Sequence, residues 1–411
     1  TADGDEVMNI LYIAYSCNPF AGSEDKIGWC VPFESSKTNK VYVITKEEQR
    51  EPVERYLQSH PLENIEFYYV DIPAFYKKIF KGFMYSGRLN VWNKRALPLA
   101  KKICADNKVD IVHQITPVEF RAIGDYGKIE SVKFVCGPLG GGESLPDGLR
   151  DYAKGHEIIE FVRSGINRWY RFKMRSTGKL NLCDYIMFAN RETREFLGLG
   201  ENVPLVTEIA ADEVSIEKRT ISNDINHELV FLFAGRMVYR KGLDLLFDAI
   251  MEIPNEWKYI VKIVGTGPEF SHLKHRCESN SLLAAHIQFM GAVQYSEMQR
   301  EYELSDVLIM PSIRETTGTV LIEAMSQGIP IITINKFGGA ILVDENTGWL
   351  YSGENRKSYI DGLKNAMVAC IVNPKEVKRR GQNARKKVKE YTWKRKCEQY
   401  EKIYKRLNCV D

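Results

Sequence analysis

The stretch Asp306-Val307-Leu308-Ile309-Met310-Pro311, followed shortly by Arg314-Glu315-Thr316-Thr317-Gly318-Thr319-Val320-Leu321-Ile322-Glu323-Ala324-Met325, decides how this chain is to be read. The short apolar run ended by proline reads as a buried strand, the glycine-containing polar segment as a turn, and the run around Glu323 as a helix. That order aims backbone N–H groups and the positive end of a helix dipole at whatever lies above the strand. Two carboxylates, Glu315 and Glu323, stand eight positions apart across the turn. Their spacing alone invites reading as a general acid and base, as in a glycosidase. With an anion-binding turn between them, they fit a ligand that joins phosphate to hydroxyls, as a nucleotide sugar does.

The same alternation extends along the chain. In the first half, β-branched or aromatic runs at 10–15, 41–45, 65–70, 111–113, 134–136 and 185–189 are separated by longer amphipathic stretches. This is the pattern of a parallel sheet with crossover helices. Periodicity fades over the polar segment 213–228 and restarts with runs at 229–234, 259–264, 287–290, 307–310 and 329–334. The expected fold is α/β, with two doubly wound, Rossmann-like domains facing a central cleft and ligands bound at the carboxyl ends of the strands. The domains are expected over 1–205 and 206–385. Past Asn373 the chain reads as one long charged helix, whose end over 386–411, with Tyr391-Thr392-Trp393 as anchor, packs back toward the first domain. Residues 1–7 lack periodicity, and Met8 is the expected natural start.

Composition narrows the class. At 411 residues the chain is too long for one ordinary core. A 44% apolar and 27% charged make-up with a net charge of +3 is that of an ordinary globular protein. The nine cysteines are scattered and never spaced Cys-x-x-Cys, which argues against a zinc ribbon or disulfide framework and fits a reducing cytosol. No apolar run has the length of a membrane span. His272 and His275 stand three apart on an expected helix, without an acid or cysteine partner that would make a metal site.

Further turns repeat the strand, glycine, helix order. Gly235-Arg236-Met237-Val238-Tyr239-Arg240-Lys241-Gly242 follows the strand at 229–234. Arg236 and Lys241 there suit a diphosphate whose charge grows as it leaves; the alternative is a pair of surface cations at a helix start. Gly265-Thr266-Gly267-Pro268-Glu269 lacks the third glycine of a dinucleotide fingerprint and reads as a tight turn on the same sheet edge. In the first domain, Gly22-Ser23-Glu24 follows the first strand, His113 ends the fourth, and Gly137-Pro138-Leu139-Gly140-Gly141-Gly142-Glu143 is denser in glycine than a connector needs. Each is a candidate cleft loop or ligand contact, with a plain connector or a structural histidine as the alternative.

Two stretches carry basic and aromatic residues together. Between Ile72 and Ala105 there is no acid, but eight basic residues are interleaved with Phe75, Tyr76, Phe80, Phe83, Tyr85 and Trp92. The second stretch, 161–179, holds Arg163, Arg168, Arg171, Lys173 and Arg175 with Trp169, Tyr170 and Phe172. This mixture suits an interfacial membrane face. It also suits nucleic acid or a solvated helix, but the near-neutral chain has no nucleic-acid motif, and no nucleic-acid partner is expected.

Taken together, these motifs resemble the retaining glycosyltransferases of the GT-B fold, family 4, over nearly the whole chain from Met8. The most specific part is the pair Glu315 and Glu323, followed by Ala324-Met325-Ser326-Gln327-Gly328-Ile329-Pro330; Gly22-Ser23-Glu24, 110–114 and 137–143 look like a subgroup acting on cell-surface polysaccharides. Where many members have Gly-Phe-Gly after the first glutamate, this chain has Thr316-Thr317-Gly318, so donor-sugar contacts are expected to differ. The resemblance implies a first domain for the acceptor and a second for a nucleotide sugar, with a uridine-based donor favoured and a guanosine-based one the alternative. Arg236 and Lys241 would hold the diphosphate, with Glu323 on the ribose, Glu315 and His113 by the donor sugar, and Thr317, Gly318, Thr319, Gly235 and Gly265 around the donor. Gly22, Ser23, Glu24, Gly141 and Gly142 would line the acceptor side. It further implies transfer to a glycan or polyprenyl-diphosphate-linked acceptor with no cofactor or metal, at the cytoplasmic face of the membrane, with domain closure excluding water. Rival readings are a sugar-nucleotide epimerase and a silent nucleotide-sugar-binding scaffold subunit.

Overall fold

The computed structural model describes residues 7–213 and 228–409, apart from the side chains of Phe83 and Tyr295. Residues 1–6 ahead of the expected start, most of the polar segment 213–228 and the ring of Phe83 therefore lie outside the described residues.

Among the described residues, two parallel sheets of six strands organise the fold. The first contains β1 (Asn9–Ala14), β2 (Lys40–Lys46), β3 (Ile65–Val70), β4 (Ile111–Thr116), β5 (Lys133–Leu139) and β6 (Tyr185–Phe188), in the order β3-β2-β1-β4-β5-β6. The second contains β7 (Leu229–Ala234), β8 (Tyr259–Val264), β9 (Ile287–Gly291), β10 (Val307–Met310), β11 (Ile331–Ile334) and β12 (Gly348–Tyr351), in the order β12-β11-β10-β7-β8-β9. Counted from its own first strand, the second sheet has the same order as the first, that of a Rossmann-like domain. Helices cover both faces, so strands such as β4 and β10 are buried at every position and read as continuous apolar runs rather than alternating ones. The expectation from sequence omitted β12, which begins at Gly348 and is only four residues long. Too short to show a period, it takes its register from β11 (Ile331↔Gly348 through Ile334↔Tyr351).

The chain forms two compact units, Thr1–Gly142 with Phe161–Glu208 and Trp393–Asp411, and Glu143–Glu160 with Ile209–Thr392. In the first unit, α1 (Ser23–Ser35) follows β1 and α2 (Tyr85–Asn107) follows β3. Trp92 of α2 is fully buried and its indole N–H donates to Val70 O at 3.0 Å. The terminal helix Trp393–Asn408 belongs to this unit, where Glu401 accepts from Thr38 at 2.6 Å and Asn39 at 2.8 Å.

Two expectations need correction. The charged region past Asn373 is two helices, Pro374–Lys387 and Trp393–Asn408, joined by the 3-10 turn Val388–Tyr391. The break has a cause: Tyr391 O accepts from Ala211 N at 2.8 Å, so the backbone there pairs with a neighbouring segment instead of its own next turn. Residues 143–160, inside the range 1–205 expected for the first domain, pack with the second unit. Leu145, Leu149 and Ala153, four apart, are buried in that unit's core with Phe247, Tyr359 and Leu363. The helix α3 (Glu157–Ser176) starts in this segment and continues into the first unit. No helix among the described residues is long and apolar enough to cross a membrane.

Candidate functional site

In the second unit the strand order reverses between β7 and β10, which lie side by side; such a switch point opens a crevice at the carboxyl ends of the strands. The turns leaving β7, β8 and β10 are bonded to one another there. Gly235 N donates to Val264 O at 3.0 Å, Met237 N to Thr266 O at 2.8 Å, and Glu269 N to Met237 O at 3.1 Å. On the other side, Ile313 N donates to Arg240 O at 2.9 Å. Gly265 is required by this arrangement: its φ is +130°, and a Cβ would lie 2.0 Å from Gly235 O. Gly265→Ala is expected to destabilise the second unit by on the order of 2 kcal/mol or more, seen as a lowered Tm. An unchanged Tm would contradict the tight packing of the two turns.

The charged groups gather on these turns. Lys241 hydrogen-bonds Glu315, and Arg240 lies 3.6 Å from the same carboxylate. Burial pushes the Glu315 carboxyl up, but Lys241 and Arg240, with the Thr316 N–H, outweigh it and hold the group below the ordinary carboxylate range. Glu315 is therefore ionised at neutral pH. Arg236 is exposed and has no side-chain partner among the described residues. Two cations thus face one carboxylate and Arg236 stands on the same β7 turn, leaving a surplus of positive charge.

Beside them α4 (Leu243–Met251) follows the β7 turn and α5 (Thr319–Ser326) the β10 turn. The α5 N-terminus carries no side-chain cap, and its N-cap residue Gly318 has a φ of +96°. Only glycine takes that conformation freely, and it turns the first helical N–H groups toward the sheet edge. Thr317 is fully buried under the turn. Glu323 lies on the second turn of α5, and one of its oxygens accepts from the Tyr302 hydroxyl at 2.6 Å. So Gly235, Arg236, Lys241, Gly265, Glu315, Thr317, Gly318, Thr319 and Glu323 all fall on the β7, β8 and β10 turns or the start of α5.

Sequence reasoning missed the layer that supports these groups. Glu160, in the segment 143–160, accepts from both Arg314 and Tyr239, tying the β7 and β10 turns together. His156 stacks on the Tyr239 ring (centroids 4.1 Å apart, 14° between planes) and lies 3.3 Å from Glu269. Nothing local marks these residues, because their partners are some 80 to 150 positions away. Tyr302 escaped because its partner Glu323, 21 positions on, sits on a different helix and is brought to it only by the fold.

The first-unit candidates behave differently. Gly22 and Ser23 are exposed at the start of α1. Glu24 accepts from Val118 N at 2.5 Å, which clasps the β1 loop to the β4 loop. Burial pushes its carboxyl above the ordinary value, the Val118 N–H opposing and Glu119 and Asp25 adding to the rise. Gly141 O accepts from Arg163 at 2.9 Å and Asn167 at 3.0 Å, while Gly142 N donates to Thr193 at 3.1 Å. His113 does not fit the sugar contact expected of it. It is fully buried, with Nδ1 2.5 Å from Tyr404 Oη and Nε2 2.8 Å from Gly137 O. Burial drives its pKa down to about 3, with the Gly137 carbonyl opposing, so it is a neutral ring inside the unit. Strand β4 continues to Thr116, which leaves His113 inside the strand rather than at its end.

Residues 215–387 match the family described as glycosyl transferases group 1. The chain is 27% identical to a glycosyltransferase of Methanocaldococcus jannaschii over 46% of its own length and 53% of that protein's. It spans about half the length of several of the curated relatives it matches. Among solved structures, it is similar to sucrose-phosphate synthase from Thermosynechococcus elongatus (TM-score 0.65, 17% identity, 98% and 100% of the two chains). It is also similar to Anabaena HepE in complex with UDP-glucose (TM-score 0.59, 16% identity, 96% and 100% of the two chains). These likenesses establish a shared fold of two Rossmann-like domains, the GT-B fold.

Proposed function

We propose that this chain is a glycosyltransferase that takes a sugar from a nucleoside diphosphate, uridine-based in preference to guanosine-based, and passes it to a glycan or a polyprenyl-diphosphate-linked glycan. The observation that carries this reading is the convergence of Arg240, Lys241, Glu315 and the uncapped start of α5 at the switch point of the second sheet, with Arg236 exposed on the same β7 turn. The family match over 215–387 and the UDP-glucose held by the similar fold of HepE support it.

In this reading the diphosphate lies across the β7 and β10 turns. Arg236 and Lys241 take its charge together with the first N–H groups of α5. Glu323, oriented by Tyr302, accepts from the ribose hydroxyls. As the bond between the sugar C1 and the β-phosphate oxygen breaks, an oxocarbenium-like sugar forms and negative charge accumulates on the departing phosphate. The fixed cations stabilise that charge without reorganising, with no metal required. The acceptor hydroxyl attacks C1 from the face the phosphate leaves, its proton passes to a phosphate oxygen, and the anomeric configuration is retained. Glu315 holds Lys241 in place and flanks the sugar. Gly22, Ser23 and Gly141 belong to the acceptor side in this proposal, and the polysaccharide-type acceptor follows from the resemblance of those loops.

A thermal-shift screen of nucleoside diphosphates and their sugars, followed by transfer to lipid-linked acceptors with the product anomer read by NMR, tests the proposal. Stabilisation by one nucleotide family and a product of unchanged anomeric configuration are expected. Donor turnover without an acceptor would point to an epimerase, and binding without any turnover to a scaffold subunit. Glu323→Gln is expected to weaken nucleoside diphosphate binding by roughly 10- to 100-fold, the worth of hydrogen bonds to a charged group. Calorimetry showing unchanged affinity would remove Glu323 from the ribose.

The proposal includes peripheral contact with the cytoplasmic face of a membrane through 75–102 and 161–179. Phe75, Lys78, Ile79 and Lys81 are exposed in support of it, whereas Lys77 is engaged by Asp71 and Glu48 at 2.7 Å each.

A further inference from the structure

The first unit contains a cavity of about 350 Å³ between α2, the second half of α3 and the turns at 120–128 and 179–182. This is the lower end of the size range of ligand pockets. No residue assigned above to the transfer reaction lines it. Its wall carries five cations, Lys94, Arg121, Lys128, Lys173 and Lys179, against the single carboxylate of Asp125. Asp125 is taken up by Lys179 and by Lys128 at 3.5 Å, and Glu119 pairs with Arg121 at 2.5 Å. Lys94 of α2 and Lys173 of α3 have no carboxylate partner among the described residues. Two lysines on different helices, lining the same cavity as the apolar side chains of Leu97 and Met174, suit a phosphate attached to an apolar body.

The outer face of α3 continues the argument. Phe161, Trp169 and Phe172 are 72, 55 and 71% exposed, and their spacing places them on one side of the helix. Arg168 is exposed among them. Lys173 joins the two features: it lines the cavity, and its ammonium lies 5.1 Å from the centre of the Trp169 ring. Exposed rings bordered by cations complement an anionic lipid surface, where the rings enter the interfacial layer and the cations meet the headgroups.

We propose that the cavity between α2 and α3 seats the phosphate headgroup of an anionic membrane lipid, with Phe161, Trp169 and Phe172 inserted beside it. This rests on the membrane contact proposed above and is independent of the sugar-transfer site in the second unit.

Co-sedimentation of the full chain with vesicles of phosphatidylcholine, alone or mixed with phosphatidylglycerol, tests it. The unmodified protein is expected to partition at least about tenfold more strongly onto the mixed vesicles, and Lys94→Ala/Lys173→Ala to lower that partition roughly thirty-fold. Trp169→Ser/Phe172→Ser should lower it as well. Lys394→Ala/Lys402→Ala removes the same charge from exposed positions of the terminal helix, outside the cavity and both membrane stretches, and should change partition less than about threefold. Equal losses in the two lysine pairs would overturn the cavity in favour of diffuse attraction. Saturable binding of inorganic phosphate in the absence of vesicles, lost in Lys94→Ala/Lys173→Ala, would overturn the lipid assignment in favour of a soluble phosphate. Failure of the unmodified protein to bind any vesicle would overturn the membrane contact itself. UDP binding, measured on the same preparations, reports separately on folding and on the transfer reading.

Discussion

Lys241→Ala is expected to lower kcat/KM for transfer by about 10²- to 10³-fold or more while leaving the circular dichroism spectrum unchanged. The loss has two parts. The variant lacks a cation that acts on the charge developing on the departing diphosphate, and fixed groups of that kind contribute about this much to rate. It also strips Glu315 of its hydrogen-bonded partner, leaving Arg240 at 3.6 Å as the nearest cation. Both side chains are largely buried (14 and 12% exposed), so the unpaired carboxylate is expected to cost on the order of 2 kcal/mol in stability as well. Lys241→Arg keeps the charge but changes its shape, and should recover stability more fully than turnover. Steady-state kinetics with the donor found by the thermal-shift screen decides the matter, and turnover within threefold of the unmodified enzyme would remove Lys241 from the phosphate site.

Glu315→Gln is the second large effect. It keeps the shape of the side chain and removes its charge. Turnover is expected to fall by roughly 10²-fold or more, while affinity for the nucleoside diphosphate changes by less than about threefold. The asymmetry follows from position: in the proposed pose Glu315 flanks the sugar and sets where Lys241 sits, and once it is neutral Lys241 is freer to meet phosphate. Glu323→Gln is expected to show the reverse. The pH dependence has a definite sign. The folded-state pKa of Glu315 is depressed, so its contribution to stability is fully present above the unfolded value of about 4.3 and is lost as pH falls through the lower folded value. Glu315→Gln should therefore flatten part of the acid limb of a stability profile, and an unchanged limb would show that the ion pair contributes nothing there.

Both sheets were legible in the sequence because doubly wound strands are buried on two faces and stand out as apolar runs; β3, β7, β8 and β10 begin and end where those runs do. The glycines marked the turns, since Gly265 and Gly318 hold backbone angles that other residues resist. What stayed hidden depended on distance along the chain. The apolar spacing of Leu145, Leu149 and Ala153 was available in the sequence, but nothing local says whose core they enter. Glu160 and Tyr302 act through partners fixed only by the fold. His113 misled because its position near a strand end resembles a ligand contact, whereas the tyrosine that engages it comes from the terminal helix, 291 positions later. The basic aromatic stretch at 161–179 was visible, but the cavity that Lys173 shares with Lys94 was not.

The central claim is that the carboxyl edge of the second sheet, between the β7 and β10 turns, holds a nucleoside diphosphate. Calorimetric titration of UDP and GDP into the unmodified protein and into Arg236→Ala/Lys241→Ala tests it most directly. The account predicts saturable binding of one of the two nucleotides by the unmodified protein and at least about thirtyfold weaker binding by the variant. Equal affinity in the two proteins, or no binding of either nucleotide by the unmodified chain, would contradict it.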